Sequence, residues 1–499
     1  MSTSRSAASG AARLAGVLLA AAGVFASSRA FAAQPAPKFN VLFLIADDLN
    51  CDLGSYGVRE MKTPNIDKLA ARGVRFDSAY CQFPLCSPSR SSFLTGRRPN
   101  VTGVRANPIP ATSPISPHFR EKIPTTITLP QLFKQNGIFA ARVGKLYHYG
   151  VPGDIGTSSL DDFQSWDQVV NPRGRDREEH DKIFTIQPNV TAPGASSQFG
   201  GTLSWLADDE GEDIDHTDGI GATEAIKLLE RFKRESRPFF LAMGFYRPHT
   251  PYVSPKHYFD LYPTAQITLP ALGADDRTRP IPLAWASFHA AQDKLSDDVR
   301  RQAIQAYHAA TSFMDAQLGR VVDALDRLGL AQNTVIVFTS DHGYHLGDHG
   351  LWQKQSLFER STRVPLIISV PGGKGNGRTA RGIVEMVDLY PTIAALTGLQ
   401  APDYLDGKNL LPMLDDPTAR VKSAAFSQVR RGDNGDGFSV RSGQWRYTEW
   451  RDGSGKLTGA QLFDEVADPT EAKNLATSPA YAPTVKELAE LLVPIRAQK

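Results

Sequence analysis

Cysteine is scarce, with 3 residues among 499. So few thiols cannot form the disulfide framework that replaces a core in small exported domains. Two of Cys51, Cys81 and Cys86 can pair in oxidising surroundings, and the odd count leaves at least one thiol to explain. Charge of one sign is lacking too, since 55 lysines and arginines face 53 aspartates and glutamates. That balance does not advertise a nucleic-acid or membrane surface, and neither partner is expected. After the N-terminal segment no stretch approaches the roughly 20 apolar residues of a membrane-spanning helix. Low-complexity tracts are missing as well, which excludes a disordered or fibrous chain. What remains is 41% hydrophobic and 22% charged residues, over a length that can bury a large core.

The N-terminal segment stands apart. Arg5 and Arg13 precede an apolar run from Leu14 to Ala26, and Ala30-Phe31-Ala32 puts small residues where a signal peptidase reads. A cleaved signal over 1–32 and an exported product, periplasmic or secreted, are expected. No Cys follows the run, so a lipid anchor is not. Losing this leader removes Arg5, Arg13 and Arg29 and no acid, so the formal charge passes from +2 to −1.

Short apolar runs recur between helical patterns: Val41 to Ala46, Ile138 to Val143, Phe239 to Phe245, Thr334 to Thr339 and Val364 to Val370. Runs apolar on both faces suit a buried, largely parallel sheet. Thr63-Pro64 opens a helix that Gly73 closes, another starts near Asp218, and a long amphipathic one runs from about Asp297 to Leu328 and stops at Gly329. The spacing predicts an α/β fold, a large mostly parallel sheet sandwiched by helices, over 33–375. From about Gly377 the pattern shortens, with a strand–helix pair near Val384 to Leu399, alternating stretches over Phe438 to Trp450 and a helix from Thr484. A smaller C-terminal α+β subdomain with an antiparallel sheet is expected over 376–499. The acidic stretch Asp208 to Asp215 lacks the Gly-centred spacing and final Glu of a calcium hand and reads as a solvated loop.

Ligands of open α/β sheets bind beyond the carboxyl ends of strands. Four apolar runs lead into polar residues: Asp47-Asp48, Lys145 with His148, His249, and Asp341-His342. Asp is also common in turns and helix caps, so any one of these has a bland explanation. Two acidic pairs at two strand ends, with basic residues at the others, point to a site. Adjacent buried carboxylates need a compensating cation, and a hard divalent ion fits best. In the run Leu85 to Pro99, Pro88 and Ser89 favour a helix start, which puts Cys86 at a helix N-terminus with Arg90 one turn on. That arrangement favours an anion, although a buried structural thiol is the plainer alternative.

On these residues the sequence resembles the sulfatase family of the alkaline-phosphatase-like superfamily. Cys86-Ser87-Pro88-Ser89-Arg90 fits its Cys-x-Pro-x-Arg signature, and Leu94-Thr95-Gly96-Arg97 fits the extension. Asp47-Asp48, Gly144-Lys145, Arg247-Pro248-His249-Thr250-Pro251, Asp341-His342-Gly343 and Lys354 follow in the family's order, in details closest to the iduronate-2-sulfatase branch. Leu462-Phe463-Asp464 to Asp468-Pro469 and Asn474-Leu475 are similar to sulfatase C-terminal subdomains.

The resemblance implies that a maturation enzyme oxidises Cys86 to formylglycine, whose hydrate attacks sulfur and later expels sulfate by internal collapse. It implies one divalent ion, calcium, held by Asp47, Asp48, residue 86, Asp341 and His342. Arg90 and Lys145 would hold the diol and ion cluster, and His148 would partner the second hydroxyl. His249 and Lys354 would grip sulfate, and one of them would protonate the leaving alcohol. Many sulfatases have Asn where His342 stands, and a nitrogen ligand weakens the choice of calcium over other divalents. The branch suggests a sulfated carbohydrate substrate, a 2-O-sulfated uronic acid, with specificity set by loops such as Asn171 to Ser204 and Pro255 to Arg300. The rivals are another sulfated sugar, a phosphoesterase on this scaffold, a non-enzymatic sugar binder and a thiol hydrolase. His257 and His308 are expected in surface or packing roles, while His345 and His349 stay candidates.

Overall fold

The computed structural model describes residues 38–108, 118–186, 203–288 and 290–497. The expected signal segment and part of the Asn171 to Ser204 loop lie outside them. An eight-stranded sheet organises the chain. Its strands are β1 (Asn40–Ala46), β2 (Val74–Tyr80), β3 (Phe139–Gly144), β4 (Gln168–Val170), β7 (Phe239–Gly244), β9 (Thr334–Ser340), β12 (Arg363–Ser369) and β13 (Thr379–Glu385). They pair in the order β13-β2-β12-β9-β1-β7-β3-β4. Every pairing is parallel except those of β12, which runs antiparallel to both β2 and β9.

The sheet is apolar on both faces because both faces are covered. Along β1, Val41, Phe43 and Ile45 pack into one core with Phe93 and Leu94 of α2 (Cys86–Thr95), Leu132 and Phe133 of α3 (Leu129–Gln135), and Ile393 of α6 (Leu389–Thr397). Leu42, Leu44 and Ala46 pack into another with Ile66 and Leu69 of α1 (Pro64–Ala71), Leu228 and Leu229 of α4 (Thr217–Glu235), and Met314 and Leu318 of α5 (Asp297–Arg327). Alternation of side chains along an extended strand thus supplies two helical layers from one apolar run.

The smaller elements frame this body. β5 (Phe184–Thr185), β6 (Ser204–Asp208) and β8 (Tyr252–Pro255) form a three-stranded sheet, and β10 (His345–Leu346) pairs with β11 (Trp352–Gln353). β14 (Ala424–Arg430), β15 (Asp436–Ser442), β16 (Trp445–Arg451) and β17 (Leu457–Asp464) make an antiparallel meander. Leu488 of α7 (Ala482–Leu491) covers it, packed with Val440, Tyr447 and Leu462. No helix among the described residues is long and apolar enough to cross a membrane.

The sheet is mostly parallel as expected, and the run Val364 to Val370 is its antiparallel exception, because the link from β9 stays at the carboxyl end of the sheet and the chain re-enters from that side. Two other expectations change. The strand–helix pair that opens the expected 376–499 segment joins the large sheet: β13 pairs with β2, and α6 fills its core. In the acidic stretch, Asp208 ends β6 and is buried under the Arg175 fork at 2.6 and 3.0 Å. Asp213 accepts bonds from Tyr258 and Gln317 at 2.7 Å. The rest of the stretch, Asp209 to Glu212 with Ile214 and Asp215, is mostly exposed, as a solvated loop is expected to be.

Candidate active site

The strands β9, β1, β7 and β3 are adjacent and mutually parallel, so their carboxyl ends line up on one edge. Asp341-His342 leaves β9, Asp47-Asp48 leaves β1, His249 follows β7 and Lys145 follows β3. The chains approach so closely here that a Cβ on Gly144, whose φ is +71°, would fall 2.2 Å from the Gly244 carbonyl. Asp48 adopts φ 66° without being glycine. Its N–H donates to Asp341 Oδ1 at 3.1 Å, and its carbonyl accepts from the Tyr307 hydroxyl at 2.9 Å, which over-determines that conformation.

Helix α2 begins at Cys86, as the Pro88-Ser89 signal predicts, and every residue of it is buried. Ser89 Oγ donates to the Asp341 carbonyl at 2.5 Å, and Asn107 Oδ1 accepts from the Ser87 N–H at 2.9 Å, which sets the helix start against the strand ends. The fully buried Arg90 turns its fork to carboxylates: Nη2 donates to Asp47 and Nε to Asp341, both at 2.9 Å. Its Nη1 donates to the Lys145 and Leu146 carbonyls at 2.6 and 3.2 Å. Arg90 therefore organises the acids, and the expected fork toward a ligand oxyanion is turned inward.

Lys145 Nζ lies 2.5 Å from Asp47. Lys354 Nζ spans both Asp48 oxygens at 2.6 and 2.8 Å and reaches Cys86 Sγ at 3.3 Å. His342 Nε2 is 3.5 Å from Cys86 Sγ and 3.3 Å from Asp48 Oδ1. His249 Nε2 is 3.7 Å from Asp48 Oδ2. Nine of the predicted residues, Asp47, Asp48, Cys86, Arg90, Lys145, His249, Asp341, His342 and Lys354, thus join one buried cluster. His148 lies beside it, lining a small cavity with Ser87 and Ser91, and its buried Nδ1 has no partner among the described residues. His345 bonds to Ser356 and His349 to Asp276, both at 2.7 Å, outside the cluster. His257 is exposed beside Asp213, and the His308 ring packs on Tyr262. All three cysteines are free.

The electrostatics follow from burial with charge on every side. Burial pushes the Asp48 carboxyl up to about 7 against the pull of Lys354. Asp47 sits well below the usual carboxylate range because Lys145 and Arg90 outweigh the burial that opposes them. Burial works against the Cys86 thiolate, yet Lys354 draws the thiol down. Burial, followed by Lys354, keeps His249 neutral. His342 rises to about 9: burial opposes its protonation, but Asp341 overcomes it.

The residues fit a metal ion. Ligand atoms of Asp48, Cys86, Asp341 and His342 lie within 4.8 Å of one another, as do those of Asp47, Cys86 and His249. The His342 Nδ1–H donates to the Gly343 carbonyl at 2.9 Å, which turns Nε2 into the cluster, where loss of its proton would give the ligating imidazole. The carboxylate-rich set suits a hard divalent ion.

Sequence reasoning missed Tyr307 and Asn107, and read Ser89 as a helix start and part of the signature without its bond to Asp341. Asp218 was read only as a helix start, yet its carboxylate accepts from the Tyr246 and Arg247 N–H groups at 2.8 and 2.9 Å and so sets the turn that delivers His249.

Residues 39–399 match the Sulfatase family, and residues 347–498 match the C-terminal family of N-sulphoglucosamine sulphohydrolase. The human iduronate 2-sulfatase is 32% identical over 87% of this chain and 89% of its own. Among solved structures, the phosphonate monoester hydrolase of Agrobacterium radiobacter superposes with a TM-score of 0.73 at 24% identity, covering 92% of this chain and 96% of that one. A 2-O GAG sulfatase superposes with a TM-score of 0.69 at 24% identity and 92% coverage of both chains. With a buried Cys86-x-Pro-x-Arg helix facing acids from two strand ends, and a match across most of its length, the chain belongs to the sulfatase family of sulfuric ester hydrolases.

Proposed function

We propose that the enzyme hydrolyses the sulfate ester of a sulfated sugar, with a 2-O-sulfated uronic acid as the substrate class. The observation that carries this reading is the environment of Cys86, where a helix N-terminus, Lys354 and His342 converge on one sulfur. Asp47, Asp48, residue 86, Asp341 and His342 would hold one divalent ion, calcium, and that ion would supply a Lewis acid for a sulfate oxygen. Residue 86, oxidised by a maturation enzyme to formylglycine, would supply the nucleophilic oxygen. Export through the 1–32 leader belongs to the same reading.

The chain's own residues would do the rest. Asp47, Asp48 and Asp341 are matched by Arg90, Lys145 and Lys354, so an added divalent ion leaves the site positive and ready for an anion. Lys354 and His249, which both approach Asp48, would grip sulfate. His249 donates its Nδ1–H to the Thr250 carbonyl at 2.5 Å, which points Nε2 at the site; burial and Lys354 disfavour a second proton there, and the negative charge of a bound sulfate ester would have to restore it for Nε2 to protonate the leaving oxygen. His148 Nε2 would face the second hydroxyl of residue 86.

Two measurements test the reading. Mass spectrometry of the tryptic peptide carrying residue 86, after expression with a maturation enzyme, is expected to show the aldehyde in place of the thiol. A panel of sulfated mono- and disaccharides, run beside aryl sulfate, aryl phosphate and a phosphonate monoester, is expected to favour the sulfated uronic acid. An unmodified thiol in an active enzyme, or faster turnover of the phosphorus esters, would sink the proposal. Cys86→Ala is expected to fold and to lose all turnover.

A further inference from the structure

We propose that Arg431, in the turn between β14 and β15, is a positioning residue for Lys354, so that the C-terminal sheet sets the geometry of the active site. The inference rests on the reading of Lys354 as a site residue. Lys354 lies between Gln353 at φ 77° and Gln355 at φ 67°. Neither neighbour is glycine, and two left-handed residues bracketing one lysine do not persist unless surrounding contacts hold them.

Those contacts are visible. The Gln355 N–H donates to the Pro84 carbonyl at 3.1 Å, two residues before Cys86. Its carbonyl accepts from Arg431 Nη2 at 2.6 Å. Gln355 is therefore clamped through both its N–H and its carbonyl, once by the segment leading from β2 to the nucleophile and once by the turn of the C-terminal sheet. Arg431 Nε donates to the Leu283 carbonyl at 3.0 Å, and its guanidinium lies 5.5 Å from the Trp450 ring. These anchors belong to one apolar cluster, which also holds Leu85, Leu357, Val429 and Trp450.

Arg431 has no carboxylate within ion-pairing distance among the described residues, although it is half-buried. Burial alone lowers it to about 10. A cation that gives up water without an acid to meet it gains only the charge-assisted bonds to the two carbonyls, and one of those carbonyls abuts Lys354. The expected consequence is that Lys354 Nζ stays aligned on Asp48 and residue 86 only while Arg431 holds the loop.

The test uses the matured, metal-loaded full chain and a small aryl sulfate, which reaches no distant subsite. Arg431→Ala is expected to lower kcat by about 10²-fold, the cost of a small misplacement of a catalytic group. KM and the melting temperature should stay near wild type, and Arg431→Lys should recover part of the loss through a single bond to Gln355. Because the effect passes through Lys354, Arg431→Ala added to Lys354→Ala should lower kcat no further. Arg431→Gln, which can still reach one carbonyl, takes the same measurements if the alanine variant does not fold. An unchanged kcat, a loss confined to KM, or a further drop in the double variant would overturn the inference. Lys354→Ala with full activity would instead strike down the reading of the site on which it rests.

Discussion

Arg90 donates to Asp47 and Asp341 while two carbonyls hold its Nη1, all without exposure to water. Removing one partner of a buried ion pair leaves the other charge uncompensated, which costs about 3–5 kcal/mol. In the metal-free protein, Arg90→Ala is expected to lose stability in that range, read from the midpoint of a denaturant titration, and an unchanged midpoint would refute the pairing. His249 offers a second residue-scale prediction. If it protonates the leaving oxygen, His249→Ala should slow an alkyl sulfate more than an activated aryl sulfate, with a gap of about 10²- to 10⁴-fold. Equal losses on both substrates would leave it a binding role only. Asp47, Asp48, Asp341 and His342 were legible because each pair begins within two residues of the end of an apolar run. The bonds of Tyr307 and Ser89 were not, since they reach the site across 259 and 252 residues of chain, a distance that local pattern does not encode.

At the scale of elements, Glu385 at the end of β13 ties three parts together. It takes both Arg98 nitrogens at 2.9 and 2.8 Å, Lys422 at 2.8 Å and the Phe426 N–H of β14 at 3.0 Å. Burial opposes its ionisation, but Arg98 and Lys422 bring it down to about 2. Its folded value lies below its unfolded value of about 4.5, so the stability it contributes is complete above that pH and is lost as the pH falls toward 2. The shift corresponds to about 3 kcal/mol. Stability measured against pH is expected to fall less steeply over this window in Glu385→Gln than in the wild type. Equal slopes would show that the clamp contributes nothing. The elements themselves were largely readable: β1, α1 and α5 begin and end close to where periodicity, Pro and Gly place them, and α2 begins where its Pro places it. The direction of β12 was not, because an apolar run is the same in either sense.

For the whole molecule, the converging ligands join the ends of β1 and β9 to the start of α2, so a bound ion would couple distant stretches of chain. An ion that binds only the folded state stabilises it by about 2.7 kcal/mol at a hundred times its dissociation constant. Chelation is therefore expected to lower the melting temperature, and calcium to restore it. The same titration on Asp341→Asn should show a much smaller shift, and a calcium response undiminished in that variant would place the ion elsewhere.

The sequence by itself determined which residues stand at strand ends, where the Cys86 helix begins and which chemistry those residue types suit. These are properties of short segments, written in apolar periodicity and in Pro, Gly and Asp at their boundaries. Only the tertiary structure decided that β9, β1, β7 and β3 lie side by side, that Arg90 faces acids, and that the Gln355 carbonyl next to Lys354 meets an arginine from the turn between β14 and β15. Such pairings depend on how the layers close around the core, which no local segment specifies.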